Sequence, residues 1–280
     1  MAQRYTYVNG KILPHEKAVV RVDDIGMSRA FGVYDGIMTY GGKPFEISKH
    51  YKRLSRSAKL LGLRVPISEK ELDRVIRTLV KKNSFSDPLA RVLLTGGTTL
   101  RGIDFDSKKP TLIVQLEQRV SLGKEAYEKG VRVITHEYER QLPQAKTINY
   151  IAAVRLQPQM RKAKATEALY TQKGNVLEAT TSNLFIVKNG KIITPKDGIL
   201  NGITRQVVLA LAKKKYQITE RPLSLQDLLT ADEIFLTSSF KEVLPVSYVD
   251  GKKIGYGVAG VVTCDLIGKF AEMVAAFRAK

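Results

Sequence analysis

A chain of 280 residues with 44% hydrophobic side chains is long enough to bury a core in one or two domains, which excludes extensive disorder. The single cysteine excludes an internal disulfide, the three histidines lack metal-site spacing, and no apolar run approaches the roughly 20 residues of a membrane-spanning helix, so we expect a cytoplasmic protein without metal or membrane contact. The net charge of +19 is spread over short basic clusters rather than one continuous track, which argues against nucleic-acid binding as the main function.

The first part of the chain predicts a small α+β domain over residues 1–117. Ser48 is a suitable N-cap for a helix that ends at Gly62, and a capping box from Ser68 to Glu71 opens a second helix. Both helices are expected to lie on a sheet. Its strands are predicted at residues 5–9, 11–13, 18–22, 36–40, 90–95 and 111–115.

Residues 118–130 lose apolar periodicity and predict a polar interdomain linker. A larger C-terminal domain is predicted over residues 131–280. Its strands are predicted at residues 131–135, 168–170, 184–187, 191–193 and 233–237, and its helices at residues 147–164, 203–215 and 256–277.

Lys146 is the first candidate for chemistry. It follows Pro143 and precedes a run of apolar and aromatic residues up to Tyr150, which predicts partial desolvation of its amine. Burial lowers a lysine pKa and frees the amine for imine chemistry. In a chain with 46 Lys and Arg, the alternative of a solvated surface charge stands beside this interpretation.

Glu178 is the matching candidate carboxylate. It lies in an apolar and small-residue stretch that enters a strand, where the alternative is a strand-edge carboxylate facing water. One amine and one carboxylate, each held in a shaped pocket, are the minimum protein chemistry that pyridoxal phosphate (PLP) needs. The pair therefore favours a PLP enzyme.

Two segments offer donors to a phosphate. Gly202, Ile203 and Thr204 open an amphipathic helix, and an N-terminus of this kind binds anions through its backbone N–H groups and its macrodipole. Ser239 and Phe240 follow a strand, where hydroxyls and amides point outward. The alternatives are an ordinary helix start and a polar turn.

Together these residues resemble the class IV (fold type IV) PLP-dependent aminotransferases over nearly the whole chain. The motif around His50 and Arg53 matches the one whose arginine grips the cofactor phosphate. Lys146 matches the Schiff-base lysine, and Glu178 matches the carboxylate on the pyridine nitrogen. Ile203 and Thr204 match the phosphate-binding helix start, and Ser239 with Phe240 the later cofactor contact.

The resemblance implies a two-domain fold type IV enzyme with PLP between the domains and a larger C-terminal domain that is mixed and β-barrel-like. It also implies a homodimer whose sites take residues from both subunits, with amino acids and 2-oxo acids as substrates. The mechanism it implies has Lys146 release the cofactor to the amino acid and then carry the Cα proton.

The substrate residues depart from the family patterns. The Tyr-x-Arg sequence of many branched-chain enzymes reads Leu89-Ala-Arg91 here, and the Arg-x-His of typical D-amino acid transaminases falls at Arg101 without the histidine. We hypothesise that Arg91 holds the substrate carboxylate, helped by Lys241 and by Arg29 from the partner subunit. Each of these cations has the alternative of a structural or surface charge. Tyr34 is expected to face the substrate, with a core aromatic as the alternative.

Transamination of D-amino acids is the first expected function, ahead of transamination of branched-chain L-amino acids. An aminodeoxychorismate lyase is the runner-up within the same fold. A basic nucleic-acid-binding protein without catalysis is the alternative from another class.

Overall fold

The computed structural model of the chain describes residues 3–119 and 122–279, so residues 120 and 121 of the predicted linker lie outside the described part. The chain forms two compact units. The first comprises Met1–Val120, Ala145–Tyr150 and Phe277–Lys280, and the second comprises Ser121–Gln144 and Ile151–Ala276. Lys146 therefore belongs to the first unit, although it lies beyond that unit's main run of sequence.

The first unit is an antiparallel sheet with helices. Its strands are β1 (Tyr5–Val8), β2 (Lys11–Pro14), β3 (Gly32–Tyr40), β4 (Lys43–Pro44), β5 (Leu89–Thr95), β6 (Thr99–Arg101), β7 (Asp104–Phe105) and β8 (Thr111–Glu117). Its helices are α1 (Ile25–Arg29), α2 (Ile47–Leu60) and α3 (Glu69–Asn83). Six strands form one sheet in the order β2-β1-β8-β5-β3-β4, and β6 pairs with β7.

The core of this unit lies where α2 and α3 cover the sheet. Leu54 of α2 and Ile76 of α3 are fully buried with Val33 and Ile37 of β3. Helix α3 begins as predicted, because the Ser68 hydroxyl accepts a hydrogen bond from the third backbone N–H of the helix. The predicted α+β architecture of this part is confirmed.

Two local predictions in the first unit are wrong. Residues 18–22 form no strand, and Val19 and Val22 are 75% and 88% exposed, because β-branched residues need a partner strand to stay extended. The chain instead turns into α1, where the Asp24 carboxylate accepts from the Gly26 N–H. Ser48 is not an N-cap, since α2 begins one residue before it.

The second unit is built on a mixed sheet. Its strands are β9 (Val131–Glu137), β10 (Glu167–Gln172), β11 (Asn175–Ala179), β12 (Asn183–Lys188), β13 (Lys191–Thr194), β14 (Ile218–Glu220), β15 (Leu223–Ser224), β16 (Glu233–Ser238), β17 (Glu242–Val249) and β18 (Lys252–Lys253). Its helices are α4 (Lys124–Glu128), α5 (Ile151–Arg155), α6 (Gln157–Lys162), α7 (Ile203–Ala212), α8 (Leu225–Leu229) and α9 (Val261–Ala279).

The order of this sheet is β14-β13-β12-β16-β17-β9-β10-β11-β15, with β18 paired to β17. Strands β9 and β10 are parallel, whereas β12, β16 and β17 are antiparallel neighbours. Leu184, Ile186, Leu236 and Leu244 on these antiparallel strands are buried in one hydrophobic cluster of the unit. Helix α7 packs on β16, which fixes where α7 begins relative to the strand ends.

The predicted helix over residues 147–164 is wrong. The structure has the separate helices α5 and α6, with Pro158 in the first turn of α6, where a missing N–H is harmless. Residues 147–150 are not helical, because Thr147 forms a β-bridge with Val33. The predicted helix over residues 256–277 begins later, at Val261. Part of the predicted polar linker forms α4.

Candidate active site

The segment that carries Lys146 is fixed by its backbone. The Lys146 carbonyl accepts from the Tyr34 N–H at 2.9 Å, and the Ile148 N–H donates to the Gly32 carbonyl at 3.1 Å. The Lys146 N–H donates to the Ser57 hydroxyl of α2 at 3.0 Å. The Lys146 backbone is thus held between β3 and α2.

An aromatic pair lies beside the amine. The Lys146 Nζ atom is 4.5 Å from the centroid of the Tyr34 ring, and the Tyr34 hydroxyl is 2.5 Å from the Tyr150 hydroxyl. Burial raises the pKa of Tyr34 above its ordinary value, although Tyr150 and Arg91 lower it in part. Tyr34 is therefore a neutral phenol at neutral pH that exchanges a hydrogen bond with Tyr150 next to the lysine.

Arg53 is buried and paired. Its Nε and Nη2 atoms donate to the two carboxylate oxygens of Asp35 at 2.9 and 2.7 Å, and Asp35 also contacts His50 Nδ1 at 2.7 Å. Burial raises the pKa of Asp35, but Arg53 and His50 outweigh it and hold that pKa well below its usual range. Since Asp35 is then ionised and only accepts, we assign the Nδ1 proton to His50.

The alternating direction of the side chains along β3 explains why Asp35 meets His50 and Arg53. Val33, Asp35 and Ile37 lie on one face of the strand and have no exposed surface, so the carboxylate points toward α2, which carries His50 and Arg53. Asp35 occupies one edge of the Arg53 guanidinium. Among the described residues, the remaining Nη1 atom has no protein acceptor within hydrogen-bond distance, so the fork fits a further anion such as a phosphate.

Arg91 lies on β5 in the same unit. Its guanidinium carbon is 5.5 Å from the Tyr34 ring centroid, so Arg91 and Lys146 both contact this ring. Its Nε and Nη2 atoms donate to the Glu117 carboxylate at 2.5 and 2.8 Å. The predicted carboxylate trap therefore already holds a protein carboxylate. Arg29, at the end of α1, is exposed.

In the second unit Glu178 is almost fully buried at the end of β11. Its Oε1 accepts from Arg140 Nε at 2.7 Å, and its Oε2 accepts from the Leu200 N–H at 3.0 Å and from Asn183 Nδ2 at 3.4 Å. Both carboxylate oxygens of Glu178 therefore accept hydrogen bonds, one of them from a guanidinium. An anionic group of this kind fits a protonated pyridine nitrogen.

The start of α7 is packed against the first residue of β12. Asn183 Nδ2 donates to the Leu200 carbonyl at 2.7 Å, and a Cβ atom at Gly202 would overlap Asn183 Oδ1, so a larger residue at position 202 would displace the Asn183 side chain. Ile203 and Thr204 follow as the first helical residues and are buried. Thr237 pairs with Asn183 across the strands, and its buried hydroxyl finds no hydrogen-bond partner among the residues that the structure describes. An unpaired buried hydroxyl beside a helix N-terminus fits an anion.

The turn between β16 and β17 carries the other predicted residues. Ser239 and Phe240 are partly buried there. Lys241, predicted to bind substrate, has its Nζ atom 2.8 Å from Glu167 Oε1 and 2.7 Å from Thr181 Oγ1. Like Arg91, this cation is paired within the protein.

Several residues of these clusters were missed by sequence analysis. Asp35 had a signal, because a carboxylate on the apolar face of a strand requires a buried partner. No sequence signal marks Arg140 or Glu167. Arg140 lies 38 residues from its ionic partner Glu178, and Glu167 lies 74 residues from its ionic partner Lys241. Glu117 likewise meets Arg91 only through the pairing of β5 with β8.

The family described as "Amino-transferase class IV" matches residues 32–249. The chain belongs to the class IV aminotransferase family. This confirms the family predicted from the motifs.

The chain is similar to branched-chain and to D-alanine aminotransferases. A Methanocaldococcus jannaschii protein with the provisional name branched-chain-amino-acid aminotransferase is 37% identical over 278 residues, with 95% of each chain covered. The D-alanine aminotransferase of Listeria monocytogenes is 31% identical over 274 residues, again with 95% of each chain covered. The crystal structure of the T.th. branched-chain amino acid aminotransferase with pyridoxamine 5′-phosphate superposes with a TM-score of 0.91 at 30% identity, covering 98% of this chain and 95% of that chain.

This class IV aminotransferase is therefore an enzyme with the fold type IV architecture, and its family depends on PLP. The described residues fit that cofactor. Within the first unit, the Lys146 amine and the guanidinium edge of Arg53 have the chemistry to take the aldehyde and the phosphate of this cofactor. Within the second unit, taken by itself, the Glu178 carboxylate and the start of α7 have the chemistry to take its pyridine nitrogen and an anion. In the described part of the chain, none of the helices is long and apolar enough to cross a membrane.

Proposed function

We propose that this aminotransferase moves an amino group between an amino acid and a 2-oxo acid, with Lys146 as the catalytic residue. When bound, PLP supplies an electron sink that stabilises negative charge at the substrate Cα atom. Lys146 would hold the cofactor through its aldehyde, and the Lys146 amine, once released, would be the base that takes the proton from the substrate Cα atom. The position of the Lys146 amine over the Tyr34 ring, on a backbone fixed at both ends, supports this role.

The other cofactor contacts are proposed group by group. Arg53 holds the phosphate with the guanidinium edge that Asp35 does not occupy. Glu178 keeps the pyridine nitrogen protonated by a charge-assisted hydrogen bond. The phosphate takes further donors from the amides of Ile203 and Thr204. The turn at Ser239 and Phe240 supplies the remaining hydrogen-bond donors to the phosphate.

For the substrate we propose that Arg91 receives the α-carboxylate and that Tyr34 borders the reacting carbon. Arg91 reaches this role by exchanging Glu117 for the substrate carboxylate, which is feasible because both side chains are about one-third exposed (33% and 36%). Arg29 from a partner subunit is proposed to assist.

A D-amino acid such as D-alanine or D-glutamate is the first candidate donor. The tyrosine position of the branched-chain Tyr-x-Arg sequence is Leu89 here, which is buried and packs over Gly36 rather than offering a hydroxyl. The similarity to D-alanine aminotransferases supports the same choice. Branched-chain L-amino acids are the second candidate, favoured by the 37% identity to the Methanocaldococcus jannaschii relative.

We also propose that the enzyme is a homodimer. Two neighbouring segments of the first unit, joined by hydrogen bonds from Thr99 to the Asp23 carbonyl, expose large apolar side chains. These side chains are Val19, Val20, Val22, Met27, Leu100 and Ile103. Apolar side chains grouped on an ordered surface mark protein contacts. Sedimentation equilibrium of the wild type and of Val22→Asp tests this, since a monomeric wild type would contradict it.

A half-reaction screen tests the substrate. The PLP form is mixed with D-alanine, D-glutamate, L-leucine or L-valine, and conversion to the pyridoxamine form is followed by absorbance. Conversion by D-amino acids alone is the expected result, whereas conversion by L-leucine and L-valine alone would establish the branched-chain alternative. Transfer to 2-oxoglutarate in a second step separates a transaminase from a lyase, which releases pyruvate without transfer.

A further inference from the structure

The carboxylate of Glu167, the first residue of β10, accepts several hydrogen bonds from the turn between β11 and β12. Thr180 Oγ1 donates at 2.7 Å, and the Thr181 N–H and Oγ1 donate at 2.7 and 3.1 Å. Ser182 Oγ donates to the other carboxylate oxygen. Glu167 is 1% exposed, so these donors replace water around a buried charge. The turn is thereby fixed to β10.

Lys241, in the turn before β17, belongs to the same hydrogen-bond network around Glu167. Its Nζ atom donates to Glu167 at 2.8 Å and to Thr181 at 2.7 Å. Its N–H donates to the Ser238 hydroxyl, and its carbonyl accepts from the Tyr127 hydroxyl. Both the backbone and the amine of Lys241 are therefore held in place.

Each of the two turns adjoins proposed cofactor contacts. The first turn joins Glu178, near the end of β11, to Asn183 at the start of β12, and Asn183 in turn packs against the start of α7. The second turn contains Ser239 and Phe240 immediately before Lys241. A cross-link between the turns fixes the spacing of groups that contact different parts of one cofactor.

We propose that the ion pair of Glu167 and Lys241 is a positioning device for the PLP contacts of the second unit, and that Lys241 does not bind the substrate carboxylate. A substrate anion on Lys241 would compete with Glu167 and leave a fully buried carboxylate without its countercharge. This inference rests on the proposed function, because it takes Glu178 and Ser239 as cofactor contacts. It replaces the substrate role that the sequence predicts for Lys241.

The test separates cofactor binding from substrate binding. Apoenzymes of Lys241→Met, Glu167→Gln and the double variant are titrated with PLP, and donor kinetics are measured at saturating PLP. Both single variants are expected to weaken PLP binding about tenfold, as loss of a supporting shell does elsewhere. Because the pair acts as a unit, the double variant is expected to be no weaker than the weaker single. The donor KM is expected to change by less than about twofold.

Lys241→Met with unchanged PLP affinity and a donor KM raised about tenfold would overturn the inference and restore the substrate role. Lys241→Arg keeps the charge and is expected to recover part of the PLP affinity even if Glu167→Gln fails to fold. Lys129→Met, which breaks the exposed pair of Lys129 and Glu125, is the matched control and should change neither quantity. A wild type that binds PLP but converts no amino acid would refute the proposed function alone, since the PLP titrations still test the pair.

Discussion

Replacement of Asp35 by asparagine tests whether the buried pair with Arg53 stabilises the first unit. The carboxylate has no exposed surface, and the Arg53 side chain is 9% exposed. Asparagine keeps the shape and one acceptor oxygen but removes the charge, which leaves a guanidinium buried without its counterion. Loss of one partner of a buried pair costs about 3–5 kcal/mol. Since one acceptor remains, we expect the apoenzyme to lose about 3 kcal/mol of unfolding free energy.

Urea denaturation of the apoenzyme, followed by circular dichroism, measures this loss. Asp73→Asn is the matched control, because Asp73 pairs with Arg77 on the surface of α3, and there we expect a change of about 0.5 kcal/mol or less. Equal midpoints for Asp35→Asn and Asp73→Asn would show that the buried pair contributes no more than a surface pair.

The sign of the pH dependence follows from the lowered pKa of Asp35. A depressed pKa gives stability that is fully present above the ordinary value of 3.8 and is lost as the pH falls toward the lower folded-state value. The difference between wild type and Asp35→Asn is therefore expected to be constant near neutral pH and to shrink below the ordinary value.

Lys146→Ala is expected to abolish the borohydride-reducible attachment of PLP, measured by intact mass, because the amine is missing. Glu167→Gln is expected to make the free energy of unfolding less dependent on pH at acid pH. Burial raises the pKa of Glu167, but Lys241 and the hydroxyls outweigh it and lower that pKa. The stabilisation by Glu167 is therefore present above pH 4.5 and is lost as the pH falls through the lowered pKa. Gly202→Ala is expected to weaken PLP binding about tenfold, measured by titration, because its Cβ would displace Asn183. Arg91→Ala is expected to lower donor kcat/KM by about tenfold or more in steady-state assays.

Three of these variants, Lys146→Ala, Gly202→Ala and Arg91→Ala, have a matched control. Lys129→Ala should keep the PLP adduct, since its amine lies on an exposed surface. Gly268→Ala in α9 introduces a Cβ that meets nothing within 4 Å and should leave PLP binding unchanged. Arg21→Ala, from an exposed pair, should leave kcat/KM unchanged. Unchanged kcat/KM for Arg91→Ala with every donor would remove Arg91 from the substrate site, and a Glu167→Gln curve parallel to wild type would contradict the titration argument.

The local sequence pattern was sufficient to predict those elements whose structure depends on residues close together in the chain. The start of α3 was predicted correctly, because the Ser68 cap and the apolar face of the helix are both encoded within one turn or two. Residues 18–22 and 147–150 were predicted wrongly. Strand propensity does not supply a partner strand, and helical spacing after Lys146 gives no sign that β3 takes the backbone hydrogen bonds.

The sequence by itself predicted the family, which the family match confirms, and it supplied the candidate groups in chain order: a guanidinium at Arg53, an amine at Lys146 and a carboxylate at Glu178. Only the tertiary structure decided how these groups are held, since the partners of Glu178 and Lys241 lie 38 and 74 residues away. Burial and strand pairing decide which charged side chains meet, and the spacing of nearby residues in the sequence predicts neither of them.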